Sequence, residues 1–121
     1  MISSKTHAIL DYLVGILLIA APWLLGFADD SAATTIPVIL GISTILYSLL
    51  TNYEYSVARM IPYKVHLTID FLAGILLLTS PWLFGFSDRV YLPHVIVGAF
   101  EIVAVLLSRK ATSTVPAPKQ I

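Results

Sequence analysis

The stretch HLTIDFLAGILLLTSPWLFGFSD, residues 66–88, repeats an earlier one, HAILDYLVGILLIAAPWLLGFAD, residues 7–29. An offset of 59 positions carries His7 onto His66, Asp11 onto Asp70, Gly15 onto Gly74 and Pro22 onto Pro81. Trp23, Gly26, Phe27 and Asp29 fall on Trp82, Gly85, Phe86 and Asp88 in the same register. Beyond the next loop the offset drops to 57, and Val38-Ile39-Leu40-Gly41 meets Val95-Ile96-Val97-Gly98. Polar and small residues recur together with the apolar ones, so the match is a duplication and not a coincidence of apolar letters.

Each copy contains two apolar stretches: Ala8 to Phe27 and Ile36 to Leu50, then Leu67 to Phe86 and Leu92 to Leu107. Twenty residues at a rise of about 1.5 Å cross a hydrocarbon core of about 30 Å. The second and fourth stretches reach that length only with their flanks. Composition agrees with lipid as the solvent. Of 121 residues, 58% are hydrophobic and only 12% charged, about half the charged share of a soluble domain, and mean hydropathy is +0.90. The runs do not alternate as barrel strands do, which leaves helices. The expected fold is an all-α membrane protein, a four-transmembrane-helix bundle made of two parallel-repeat helical hairpins. The first repeat takes residues 1–53, with spans near 7–27 and 34–53. A loop follows at 54–65, then the second repeat at 66–108, with spans near 66–86 and 91–108, and a disordered tail at 109–121. A cleaved leader over residues 1–33 is the rival reading. Recurrence of the same segment at 66–88, where it has to be a mature span, argues against it.

Pro37 and Pro93 suit first turns, where a missing N–H costs nothing, with Thr34 or Thr35 as N-cap before Pro37. Pro22 and Pro81 fall late in their spans. Helices ending there would be too short, so the expectation is a kinked continuation through Trp-Leu-Leu-Gly-Phe and Trp-Leu-Phe-Gly-Phe. Trp23, Phe27, Trp82 and Phe86 would then sit at the outer interface, facing lipid or headgroups.

Lys5, Arg59, Lys64, Arg109, Lys110 and Lys119 fall on one side of the expected membrane, and only Arg89 on the other, with Asp29, Asp30 and Asp88. That positive-inside bias puts both termini and the Thr51–Val65 loop in the cytoplasm. Tyr53, Tyr55 and Tyr63 would form an aromatic belt there. Parallel repeats of this kind are related by a pseudo-twofold axis along the membrane normal.

Ser80-Pro81-Trp82 followed by Leu-Phe-Gly-Phe, and Ala21-Pro22-Trp23 followed by Leu-Leu-Gly-Phe, resemble the SPW-repeat family of small bacterial and archaeal membrane proteins. The likeness runs to about Ser108, and only the second copy carries the full Ser-Pro-Trp motif. The resemblance implies two transmembrane helices per repeat and a prokaryotic plasma (inner) membrane, and it implies no activity.

At about 100° per residue, His7, Asp11, Gly15, Pro22 and Gly26 share an arc of roughly 100° on the first helix. His66, Asp70, Gly74, Pro81 and Gly85 repeat it on the third. Small residues beside ionisable ones mark a face packed against another helix. Each His-x-x-x-Asp places both groups on one face. The leading reading is structural, each aspartate meeting its own histidine, a helix N-terminus, or the Thr6 or Thr68 hydroxyl. The alternatives are proton or ion passage and a metal held by His7, Asp11, His66 and Asp70. Glu101, opposite Thr44 in the repeat, lies about 10 Å into the fourth helix, with Ser43, Thr44, Tyr47 and Ser48 as conceivable partners. His94, opposite Pro37, is expected at the outer interface.

There is no basic stripe for nucleic acid, no cysteine for thiol chemistry, and no recognisable catalytic motif. No cofactor and no enzyme activity are expected. The expected function is a structural or accessory membrane module, self-associating or attached to a larger membrane complex, with the bilayer and other membrane subunits as partners. An oligomeric transporter of protons, cations or small solutes is the alternative, and a metal-dependent membrane enzyme using His7, Asp11, His66 and Asp70 comes third.

Overall fold

A computed structural model describes residues 2–108 of the chain. It contains four helices: α1 (Ser4–Leu24), α2 (Ser31–Leu49), α3 (Tyr63–Leu83) and α4 (Leu92–Leu107). The first three are long and apolar enough to cross a membrane. The fourth, at 16 residues, reaches about 24 Å and is shorter. The expected tail at 109–121, with three of the basic residues used for orientation, lies outside the described residues.

Each long helix runs two residues past its late proline but does not continue through the glycine. α1 ends at Leu24 and α3 at Leu83. Gly26 and Gly85 take φ of 80° and 73°, where a side chain would be strained. The Phe27 N–H then returns to the Pro22 carbonyl, and the Phe86 N–H to that of Pro81, both at 2.8 Å. This six-to-one bond after a left-handed glycine is a Schellman stop. The missing length is recovered at the other end, because Ser3 caps α1 by accepting from the Thr6 N–H at 3.2 Å, and each long helix runs 21 residues. The stop turns both phenylalanines inward. Phe27 and Phe86 are buried, whereas Trp23 and Trp82 are 64% and 59% exposed. The expectation that all four rings face lipid is therefore corrected for the phenylalanines.

A proline inside a helix frees the carbonyl four residues back. At Pro81 that carbonyl belongs to Leu77, and the Ser80 hydroxyl donates to it at 2.7 Å. The serine of Ser-Pro-Trp thus repairs the gap that its proline opens; Ala21 brings no such hydroxyl to the first copy. At the start of α2, Asp30 is the N-cap and not Thr34 or Thr35, accepting from the Ala33 N–H at 3.2 Å. Pro37 consequently lies inside the helix and frees the Ala33 carbonyl. His94 Nε2 donates to that oxygen at 2.8 Å. His94 is buried between Phe27 and Phe86, at ring distances of 5.3 and 4.8 Å, and is not an interfacial residue.

α1 packs mainly on α2 and α3 on α4. A Cβ at Gly41 would lie 2.7 Å from the Gly15 carbonyl, and one at Gly98 would lie 2.8 Å from that of Gly74. The glycine faces therefore serve contact within each hairpin, backbone against backbone. Between hairpins α2 lies along α3, while α1 and α4 approach less closely. The outward surface is apolar along its length, with Leu13, Ile16, Leu46, Leu72, Leu83, Ile96 and Leu106 exposed. In water this would be a large unpaired apolar patch; in lipid it is solvated.

A candidate His–Asp centre joining the hairpins

The lead-in to each long helix pairs with the end of a short one. Ile2 bridges Ser108, and Ile61 bridges Thr51. The backbone bonds are Ile2 N–H to the Leu107 carbonyl at 2.8 Å and Ile61 N–H to the Leu50 carbonyl at 2.7 Å. These contacts are counterparts under the offsets of 59 and 57. They place one hydroxyl beside each histidine, Ser108 beside His7 and Thr51 beside His66.

Each aspartate meets its own histidine as expected, and the aspartate of the other hairpin comes closer still. His7 Nε2 lies 2.8 Å from Asp70 Oδ2, and His66 Nε2 lies 2.7 Å from Asp11 Oδ2. The local contacts are longer: 3.2 Å for His7–Asp11 and 3.0 Å for His66–Asp70. The four side chains form a closed ring of alternating imidazole and carboxylate, and none is more than 2% exposed. Thr6 and Thr68, expected as partners for the carboxylates, bond to Ser3 and to the Lys64 carbonyl instead.

The hydroxyls fix where the protons are. Thr51 Oγ1 donates its one hydrogen to the Tyr47 carbonyl at 2.6 Å, and Ser108 Oγ donates to that of Ala104 at 2.5 Å. Each therefore meets its histidine Nδ1, at 2.7 Å in both cases, as an acceptor. Nδ1 must carry a hydrogen on both rings. Each Nε2 faces carboxylate oxygens, which only accept when ionised, so one further proton lies between each ring and the carboxylates. The quartet as a whole is neutral, which lets four ionisable groups share a dry interior.

Tyrosines complete the shell. Tyr47 donates to Asp70 Oδ1, and Tyr53 donates to Asp11 Oδ2 at 3.2 Å. Tyr53 and Tyr63 are buried over the rings and do not form a surface belt, while Tyr55 is exposed. Tyr47 was expected beside Glu101 and is committed to Asp70 and, at 3.4 Å, to Thr44. Glu101 is 7% exposed, with its Cβ against Gly74. Among the described residues it has no hydrogen-bonding partner. Thr51, Ser108 and Tyr53 are the site residues that reading along the chain missed. The offset of 57 does carry Thr51 onto Ser108, and that was the available signal.

At the opposite end Arg89 Nε donates to Asp30 and Arg89 reaches Asp88 at 3.2 Å. The Arg89 hydrogen bond, helped by the Ala33 N–H, holds the Asp30 carboxyl below its ordinary value.

Four helices with a lipid-compatible exterior and a buried ionisable centre define a small all-α membrane protein. The family model of the SPW repeat domain matches residues 5–108, and the chain belongs to that family. No curated protein and no solved structure matches it.

Proposed function

We propose that the chain is a structural or accessory module of the membrane, in which the His–Asp quartet locks two hairpins into one body that associates with itself or with larger membrane subunits. The observation that carries this reading is the crossed pairing of His7 with Asp70 and His66 with Asp11, which ties α1 to α3 and, through Ser108 and Thr51, enlists α4 and α2. The paired bridges and hydroxyls at the repeat offsets support parallel hairpins about a pseudo-twofold axis. The basic bias of Lys5, Arg59 and Lys64 supports cytoplasmic termini in a plasma membrane, with α4 as a short fourth span. Four of the polar groups expected to mark a site are consumed in holding the fold, and the remaining surface is apolar. Native electrophoresis after mild extraction tests association: discrete species larger than the monomer are expected, and a lone monomer in every gentle detergent contradicts the module reading.

Glu101 favours a second reading, an oligomeric proton or cation transporter, because a buried carboxyl with no hydrogen-bonding partner among the described residues is the kind of group that lines ion paths. Flux into liposomes that falls in Glu101→Gln supports it; flux equal to that of empty liposomes removes it.

A further inference from the structure

The quartet that clamps the hairpins has the donor set of a metal centre. We propose that His7, Asp11, His66 and Asp70 form a four-ligand site for one divalent transition-metal cation, Zn²⁺ foremost, which enters in exchange for the two bridging protons. This rests on the clamp reading and deepens it.

One ligand atom from each residue can be chosen so that all four lie within 4.8 Å of one another. The four histidine–carboxylate contacts lie between 2.7 and 3.2 Å, Asp70 meeting both histidines through Oδ2 and Asp11 meeting His7 through Oδ1 and His66 through Oδ2. A zinc ion about 2.0–2.1 Å from nitrogen and about 2.0–2.2 Å from oxygen sets tetrahedral neighbours roughly 3.3 Å apart. The His–Asp contacts have to lengthen by a few tenths of an ångström and the farthest pair, which lies within 4.8 Å, to draw in toward that distance, so side-chain adjustment around the existing ring is what admits the ion. Two imidazoles with two carboxylates suit a borderline cation such as zinc better than Mg²⁺ or Ca²⁺, which take six or more oxygens.

The surroundings are those that a ligating histidine requires. Its second nitrogen has to keep a hydrogen and give it to a fixed acceptor, which orients the ring and presents the other lone pair. Ser108 and Thr51 are such acceptors for Nδ1 at 2.7 Å, each locked by its own bond to a carbonyl. Both Nε2 atoms are thereby aimed at the common centre. Tyr47 and Tyr53 hold the carboxylates in the same way.

Charge balance selects the valence. The quartet with its two bridging protons is neutral. Losing both protons leaves two neutral imidazoles and two carboxylates, a charge of −2 that one divalent ion cancels. The exchange of M²⁺ for two H⁺ leaves the buried charge at zero, whereas a monovalent ion exchanged for both protons would leave a net charge in an apolar interior.

The experiment uses the full chain in lipid nanodiscs, stripped with chelator and titrated with Zn²⁺ and with Co²⁺. The expected result is one metal per chain, about two protons released per metal, and the visible bands of four-coordinate Co²⁺. Ser108→Ala and Thr51→Val, which leave all four ligands in place, are each expected to weaken binding about 10–100-fold. Asp88→Asn, at the far end, should not change it. Folded, monodisperse wild-type protein that takes up neither metal overturns the site while leaving the clamp intact, because the clamp is read by stability. Metal uptake without proton release, or undiminished in both hydroxyl variants, also overturns it.

Discussion

Thr51 and Ser108 occupy one and the same role in the two hairpins. Each accepts a histidine Nδ1 hydrogen at 2.7 Å and hands its own hydrogen to a carbonyl one turn back on its helix. Replacing either by an apolar residue leaves a buried N–H without an acceptor, at a cost of about 1–3 kcal/mol. Thermal unfolding in nanodiscs should show comparable losses for Thr51→Val and Ser108→Ala. A loss confined to one of them would mean that the hydroxyls are not counterparts.

Gly41 and Gly98 permit the closest approaches within the hairpins. Alanine at Gly41 meets the Gly15 carbonyl at 2.7 Å, and alanine at Gly98 meets the Leu78 backbone nitrogen at 2.6 Å. These are backbone atoms, so they cannot yield as a side-chain tip would. Each substitution is expected to destabilise by about 1–3 kcal/mol through overpacking, read as a lower midpoint in the same unfolding assay. An unchanged midpoint in both would argue against the tight glycine seams.

Ser80 is predicted to matter for one bond. Ser80→Ala removes the hydroxyl that satisfies the Leu77 carbonyl and should cost about 1 kcal/mol. Isotope-edited infrared measurement of the Leu77 carbonyl should show it freed, and an unaltered carbonyl band would count against the repair role of the motif serine.

Asp30 gives a pH prediction. Its carboxyl is held more acidic by the Arg89 hydrogen bond and then by the Ala33 N–H. A group more acidic in the folded state contributes stability above its unfolded value and loses it as pH falls through the folded one. Arg89→Gln should therefore move the Asp30 titration upward, toward the ordinary value of about 3.9, as followed by carboxyl NMR. The effect on the unfolding midpoint should be small and sensitive to salt, since Arg89 is 54% exposed. An unmoved titration contradicts the pairing.

The four apolar stretches, the repeat and the polar stripe of His7, Asp11, His66 and Asp70 were legible because periodicity and burial are local properties of the chain. A meeting of the two stripes was legible as the alternative quartet, but which aspartate each histidine meets more closely was not. An i,i+4 His–Asp pair looks complete within its own helix, and nothing in the spacing says that a second helix brings a better-placed carboxylate. Phe27 and Phe86 were misplaced for a similar reason. Continuing the helix through Gly26 and Gly85 points the rings outward, and only the positive φ of the glycines turns them in. His94 and Pro37 looked like a mismatch between copies. In three dimensions the imidazole donates to the carbonyl that the proline leaves free, a complementarity that spacing along one strand of sequence does not reveal.

The central claim is that each histidine is held chiefly by the aspartate of the other hairpin. A double-mutant cycle on His7 and Asp70, with His7→Gln, Asp70→Asn and the pair, measures it most directly, using unfolding free energies in nanodiscs. Removing one partner of a buried charged pair costs about 3–5 kcal/mol, and residues in direct contact couple by about 0.5–3 kcal/mol. The predicted result is a coupling near the top of that range for His7 with Asp70 and a weaker one for His7 with Asp11. Additive effects for His7 and Asp70, with the strong coupling found instead to Asp11, would contradict the crossed quartet.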